Sequence, residues 1–168
     1  MTEHDFIKTY DEWADAIFRH CSFRLSDREA AKDLTQDIFI RVWEYVSRGE
    51  KVENMKAFLY RVAHNRIVDE FRKRGRIDSL ETLEDEFGFD VPEEESVADL
   101  FDTFDARHAL EAIPRLTPRY REVLIMRFVD GLPPKEIAGI LKEPENNISV
   151  RIHRATRKLA ALLHYDHA

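Results

Sequence analysis

From Asp78 to Asp105 the chain carries twelve Asp and Glu residues and no Lys or Arg. Like charges at that density repel one another and interrupt any shared apolar core. The 168-residue chain is therefore expected to fold as two small pieces on one tether, each built around a modest core. The run also explains the overall charge. The net value is −7, and leaving out the twelve acids brings the remainder to +5. Partners sense charge locally, over a Debye length of about 8 Å. Both flanking pieces can therefore approach a polyanion although the whole chain is acidic.

The remaining composition points to helices. Hydrophobic residues make up 43% and charged residues 35% of the chain, with only five glycines and six prolines, too few turn formers for a strand-rich fold. The expected class is all-α. Cys21 is the single cysteine, so no intrachain disulfide can form and a reducing, cytoplasmic setting is expected. No apolar run approaches the ~20 residues of a membrane span. The opening residues lack the basic and apolar blocks of a secretory leader.

Periodicity supplies the elements. Phe6, Tyr10, Trp13, Ile17, Cys21 and Leu25 recur in steps of three and four, as one helical face. Ser26-Asp27-Arg28-Glu29 reads as a capping box for a second helix, with Ala31, Leu34, Ile38, Val42 and Val46 inward. After a break at Ser47–Glu50, Asn54 is the expected N-cap of a third helix, with Phe58, Leu59, Val62, Ile67 and Phe71 inward. That helix ends in Arg72-Lys73-Arg74, with Gly75 as the stop. Residues 76–101 form the acidic linker. Helical pattern resumes near Asp102 and runs to Ile113. Thr117-Pro118 opens another helix and Pro133-Pro134 a short one that runs through Leu141. A last helix covers about Pro144 to Leu163. The expected domains are 1–75, the linker 76–101, and 102–168.

The chemistry is concentrated near the C-terminus. A short helix with Ile137, Ala138 and Leu141 inward is followed by a tight turn and a longer helix with Ile148, Ile152, Ala155, Leu159 and Leu162 inward. Arg151, Arg154 and Lys158 share another face, flanked by Arg157, and no acid lies between Glu145 and Asp166. This is the pattern of a helix-turn-helix, whose second helix enters the major groove. On charge alone an ordinary amphipathic helix fits equally well; the proline-opened helix and the turn ahead of it favour DNA. The seven histidines show no metal-binding spacing, and no glycine-rich phosphate cradle is present. No metal, cofactor or catalytic residue is expected.

LTPRYREVLIMRFVDGLPPKEIAGILKEPENNISVRIHRATRKL resembles region 4 of the sigma-70 superfamily of bacterial RNA polymerase sigma factors. DLTQDIFIRVWEYV followed by FLYRVAHNRIVDEFRKR resembles region 2 of its extracytoplasmic-function (ECF) group. The resemblance implies a σ2 bundle of three or four helices and a σ4 helix-turn-helix. It implies a non-enzymatic subunit that brings core polymerase to promoters, reads the −35 and −10 elements and helps melt the latter. Its implied partners are core RNA polymerase (the β′ coiled coil and the β subunit), promoter DNA and an anti-sigma factor. The linker would lie in the polymerase's basic channel.

By position, the resemblance assigns Asp33, Gln36, Asp37 and Arg41 to core polymerase docking. Arg48, Asn54, Arg61, Asn65, Arg66, Arg72 and Arg74 are assigned to the −10 element, with a loop from Ser47 to Asn54 that captures a flipped base. Ser149, Val150, His153 and Arg154 are assigned to −35 bases, and Arg151, Arg157 and Lys158 to the DNA backbone. Two departures stand out: Lys142 occupies a position where the family has Gly, and Ser149 one where it has a cation. The rival reading is a stand-alone helix-turn-helix regulator whose N-terminal half is a sensor or dimerisation module.

Overall fold

The structure, a computed structural model, describes residues 1–25, 27–75 and 105–166, with side chains to residue 164. Ser26 and the whole acidic segment 76–101 lie outside the described residues. The chain divides into two compact units between residues 77 and 78, and each is described by itself.

The first unit holds three long helices: α1 (Glu3–Arg24), α2 (Arg28–Ser47) and α3 (Met55–Lys73). Each start is capped by a side chain. The Thr2 hydroxyl accepts from the Asp5 N–H at 3.2 Å, and the Thr2 N–H donates to the Asp5 carboxylate at 3.0 Å, satisfying two donors reciprocally. Asp27, not Ser26, is the N-cap of α2: its carboxylate accepts from the N–H groups of Glu29 and Ala30 at 2.9 and 3.3 Å. Helix α2 thus starts one residue later than the capping-box pattern implies. Asn54 caps α3 as expected, accepting from the Ala57 N–H at 3.0 Å. The break before it turns on Gly49, at φ +90°, a conformation an L side chain resists.

Ile17, Cys21 and Leu25 of the first face meet Ala31, Leu34, Ile38, Val42 and Val46 of the second, all buried. Helix α3 is rotated from its expected face. Leu59, Tyr60, Ala63 and Ile67 are buried, whereas Phe58, Val62 and Phe71 are half-buried. The cause is that α3 packs on both α1 and α2, so its buried arc points between them. His20 is buried with its ring edge-on to Tyr60 at 5.3 Å. The start of α1 lies against α2 through Phe6–Trp43 at 5.0 Å and Tyr10–Phe39 at 4.8 Å.

The second unit is made of shorter pieces: α4 (Ala106–Ala112), a 3₁₀ turn (Ile113–Arg115), α5 (Pro118–Leu124) widening into a π turn (Ile125–Val129), α6 (Pro134–Leu141) and α7 (Glu145–Asp166). Val123, Leu124, Ile125 and Met126 are fully buried in succession. Four consecutive helical positions sweep most of the circumference, so this segment is surrounded and forms the centre of the unit. Arg121 ties the preceding turn to it, donating to the carbonyls of Pro114 and Leu116 at 3.0 and 3.1 Å. Prolines occupy the first turns of α5 and α6, as the sequence implies. In α6 the buried residues are Ile137, Ala138 and Ile140, with Leu141 only half-buried, and in α7 Leu163 is buried more deeply than Leu162. Helix α6 packs on α7 and on the π turn together, which moves its inward arc by one position.

The turn between α6 and α7 hinges on Lys142, at φ 57° and ψ 44°, the one non-glycine residue with positive φ among the described residues. The Glu143 N–H donates to the Ala138 carbonyl at 3.1 Å, the closing bond of a Schellman motif, whose left-handed residue is usually Gly. Among the described residues, no helix is long and apolar enough to cross a membrane.

Candidate nucleic-acid interface

In the second unit α6, the Lys142 turn and α7 make a helix-turn-helix. Burial of Ile148, Ile152, Ala155 and Leu159 fixes which side of α7 faces out. Ser149, Arg157 and Lys158 are exposed, and Val150 and Arg154 are half-buried. Lys158 places its ammonium 5.6 Å from the centre of the Tyr120 ring, a cation–π contact that leans it along the surface.

His153, assigned to −35 bases, retains only 6% of its surface, because it follows Ile152 on the core side of the helix. Arg151, assigned to the DNA backbone, is engaged within its own unit. Its side chain is 10% exposed, and its two terminal nitrogens donate to the two carboxylate oxygens of Glu143 at 2.6 and 2.7 Å. Such an end-on pair is among the stronger charge-assisted arrangements. Arg119 adds a third bond to Glu143, at 3.2 Å. The hydrogen bond from Arg151 holds the Glu143 carboxyl below its ordinary value, against the opposing effect of burial. Arg119, Tyr120, Glu143, Asn147, Val150, Arg151 and Arg154 line a cleft of about 470 Å³ along this face.

In the first unit Asp33, Gln36 and Arg41 are exposed on α2 and Asp37 is half-buried, so the four share an outward stripe. Ile40, 56% exposed, lies within it. Asp37 accepts from Arg41 at 3.0 Å and from Arg66 of α3 at 2.6 Å, and Arg66 also reaches Asp69 at 3.2 Å. Partial burial opposes the charge on Asp37, but the two arginine hydrogen bonds outweigh it, and the carboxyl is held below its ordinary value. Arg66, assigned to the −10 element, is 14% exposed and engaged between two carboxylates. It braces α3 against α2.

The loop from Ser47 to Asn54 borders a pocket of about 310 Å³ lined by Tyr45, Lys51, Val52, Glu53, Asn54, Ala57, Phe58 and Arg61. The Tyr45 and Phe58 rings lie 4.9 Å apart and tilted by 39°. Of the residues expected at the −10 element, Asn54 and Arg61 line this pocket. Arg48, Asn65 and Arg72 are exposed elsewhere on the unit, and Arg74 pairs with Glu70 at 3.2 Å. Glu143, Arg119 and the Tyr45–Phe58 pair were not singled out from the sequence. The Arg119–Glu143 bond spans 24 positions, beyond any local pattern. A signal for the aromatic pair existed in the two rings that bracket the Ser47–Asn54 break.

Two family models match the chain in order: Sigma-70 region 2 over residues 9–77, and Sigma-70, region 4 over residues 107–159. The chain belongs to the sigma-70 family of RNA polymerase sigma factors, proteins that direct RNA polymerase to promoters. Within it, the chain groups with the ECF sigma factors. It is 27% identical over 162 residues to the ECF RNA polymerase sigma factor BldN of Streptomyces coelicolor, covering 96% of this chain and 61% of that protein. It is 27% identical over 166 residues to the ECF RNA polymerase sigma factor SigW of Bacillus subtilis, covering 92% and 86%. The same fold occurs in the sigma factor RpoE from Bartonella quintana, solved with the anti-sigma factor NepR, at a TM-score of 0.71, 24% identity and coverage of 96% and 98%. It occurs also in CnrH, solved with the cytosolic domain of CnrY, at a TM-score of 0.70, 21% identity and coverage of 98% and 91%. The rival of a stand-alone regulator is not favoured, because the N-terminal half is itself region 2.

Proposed function

We propose that this chain docks on core RNA polymerase through the α2 stripe, reads the −35 element with the outer face of α7, and engages the −10 element with α3 and the pocket below the Ser47–Asn54 loop. The observation that carries this reading is the occurrence of both sigma-70 regions in one chain, each with an exposed polar face on its own unit. Residues 1–75 then serve polymerase docking and melting, residues 102–168 serve −35 recognition, and the acidic segment 76–101 joins them. The protein acts in the cytoplasm as a non-enzymatic subunit, because nucleotide chemistry belongs to the polymerase. Its partners are the β′ coiled coil and the β subunit of core polymerase, promoter DNA and an anti-sigma factor. One fold neighbour was solved in complex with an anti-sigma factor, which supports the last of these.

Flipping a base costs a few kcal/mol and needs a pocket to receive it. The tilted Tyr45–Phe58 pair offers a stacking surface, and Arg61 a cation for the adjacent phosphate. Ser149, Val150 and Arg154 remain on the base-facing side of α7, and Arg157 and Lys158 on its backbone-facing side. The decisive experiment is run-off transcription by core polymerase with this chain on a genomic library. Promoter-specific transcripts are expected, and none should appear without the chain. The docking stripe is tested by changing Asp33→Ala with Gln36→Ala, two exposed residues outside the Arg66 brace. Core affinity in a pull-down should fall about tenfold, or 1.4 kcal/mol. Unchanged affinity removes the docking assignment.

A further inference from the structure

Glu143 stands at the turn of the helix-turn-helix, directly after the left-handed Lys142. Its carboxylate accepts three N–H groups: Arg151 Nη1 on Oε2 at 2.6 Å, Arg151 Nη2 on Oε1 at 2.7 Å, and Arg119 Nη2 on Oε1 at 3.2 Å. A phosphodiester takes up arginine forks in the same way, with two oxygens against two parallel N–H groups. The carboxylate sits in the cleft that Asn147, Val150 and Arg154 border from the outer face of the recognition helix. A carboxylate that braces an arginine for DNA leaves the end-on pair of nitrogens pointing outward. Here that pair is the one occupied, and the Arg151 side chain is almost sealed.

We propose that Glu143 is an internal phosphate surrogate, which occupies Arg119 and Arg151 and so lowers the attraction of this unit for duplex DNA of arbitrary sequence. Base contacts by Arg154 and its neighbours then carry a larger share of binding, and Glu143 acts as a specificity-determining residue for promoter recognition. The inference rests on the sigma-factor reading of α7. It assigns the two arginines to sequence-independent affinity that is held back, not to affinity already in use.

The test uses the full chain and a fluorescent duplex without promoter sequence, with anisotropy read from 50 to 200 mM salt. Glu143→Gln keeps the shape of the side chain and removes its charge. It should bind several-fold more tightly at 50 mM. Its salt slope should steepen by about 0.9 for each phosphate newly engaged, so that the gain shrinks about threefold or more by 200 mM. Glu145→Gln, at the exposed first residue of α7, reports the generic effect of losing one negative charge and should leave the slope unchanged. Arg119→Gln in the otherwise native chain does not depend on the fold tolerating a change at Glu143. Because Arg119 is already occupied, that variant should alter affinity less than twofold with the native slope. The proposal is overturned if Glu143→Gln binds equally or more weakly, if Glu145→Gln reproduces its effect, or if Arg119→Gln weakens binding and flattens the slope by about one. Arg157→Ala separates this inference from the reading beneath it. A loss of affinity there with no gain in Glu143→Gln overturns the surrogate alone, whereas no effect of either sinks DNA binding by α7 as well.

Discussion

Asp37 in the first unit and Glu143 in the second each gather two arginines, one near in sequence and one far. Asp37 takes Arg41 one helical turn away and Arg66 29 positions on; Glu143 takes Arg151 eight positions on and Arg119 24 positions back. The outcomes differ. Asp37 uses one oxygen for both partners, and Arg41 stays half exposed on the outward polar stripe of α2. Glu143 uses both oxygens, and Arg151 is closed off. In one unit the carboxylate fastens two helices and leaves a polar face available; in the other it withdraws a cation from the face proposed to meet DNA. The same ion-pair chemistry serves opposite ends according to which edge of the guanidinium it occupies.

The sharpest way to break the comparison is to ask whether each unit keeps its own stability. Trp13 and Trp43 are the only tryptophans, so their emission reports on the first unit. Ile67→Ala removes a fully buried side chain there and should cost about 2–5 kcal/mol, read as a lower urea midpoint of tryptophan emission. Leu124→Ala, at the centre of the second unit, should cost as much by circular dichroism and leave the tryptophan midpoint in place. A shift of that midpoint would show that the two units are not separate folding entities.

Arg66 comes next. Replacing it with Met should destabilise the first unit by about 1 kcal/mol, between the worth of an exposed pair and that of a buried one. Arg72→Ala, at an exposed position, should stay within about 0.5 kcal/mol and weaken promoter binding instead. If the two variants behaved alike in urea, Arg66 would not be a brace. Lys142→Gly should stabilise the second unit by about 0.5–1 kcal/mol, because the left-handed conformation costs an L residue more than the extra freedom of Gly costs the folded state. A loss of stability in thermal melts would show that the lysine side chain contributes more than its backbone costs.

The smallest effect is in acid. Both carboxyls are held below their ordinary values of 3.8 for Asp37 and 4.5 for Glu143. A depressed folded-state value stabilises fully above the unfolded one, and that stability is lost as pH falls through the depressed value. Acid titration followed by circular dichroism should therefore show each unit weakening below those ordinary values. Glu143→Gln should flatten the dependence of the second unit while the tryptophan-reported profile of the first is unchanged.

The first unit was largely legible in the sequence. Its helices are long, their apolar steps regular, and Asn54 announces its own cap. The rotation of α3 was not, because which residues of a broad apolar arc turn inward depends on there being two neighbours to pack against. The second unit was legible in its punctuation, with prolines at the starts of α5 and α6 and a non-glycine residue where a left-handed turn is needed. The depth of His153 and the bond from Arg151 to Glu143 were hidden. A basic stripe on a helical wheel does not tell a cation that faces solvent from one folded back onto an acid eight positions earlier. The polar stripe on α2, proposed to dock polymerase, was legible as a polar face, but Asp37 is fixed by Arg66, which no local spacing connects to it.

Lys142 has one further consequence, in stereochemistry. At φ 57° and ψ 44° the backbone sits where the mirror image of an ordinary L residue would be relaxed. A D-lysine placed there by chemical ligation would keep the ammonium and its reach while removing the conformational penalty, two effects that glycine changes together. Handedness at this single carbon thus separates what the turn costs from what the side chain does.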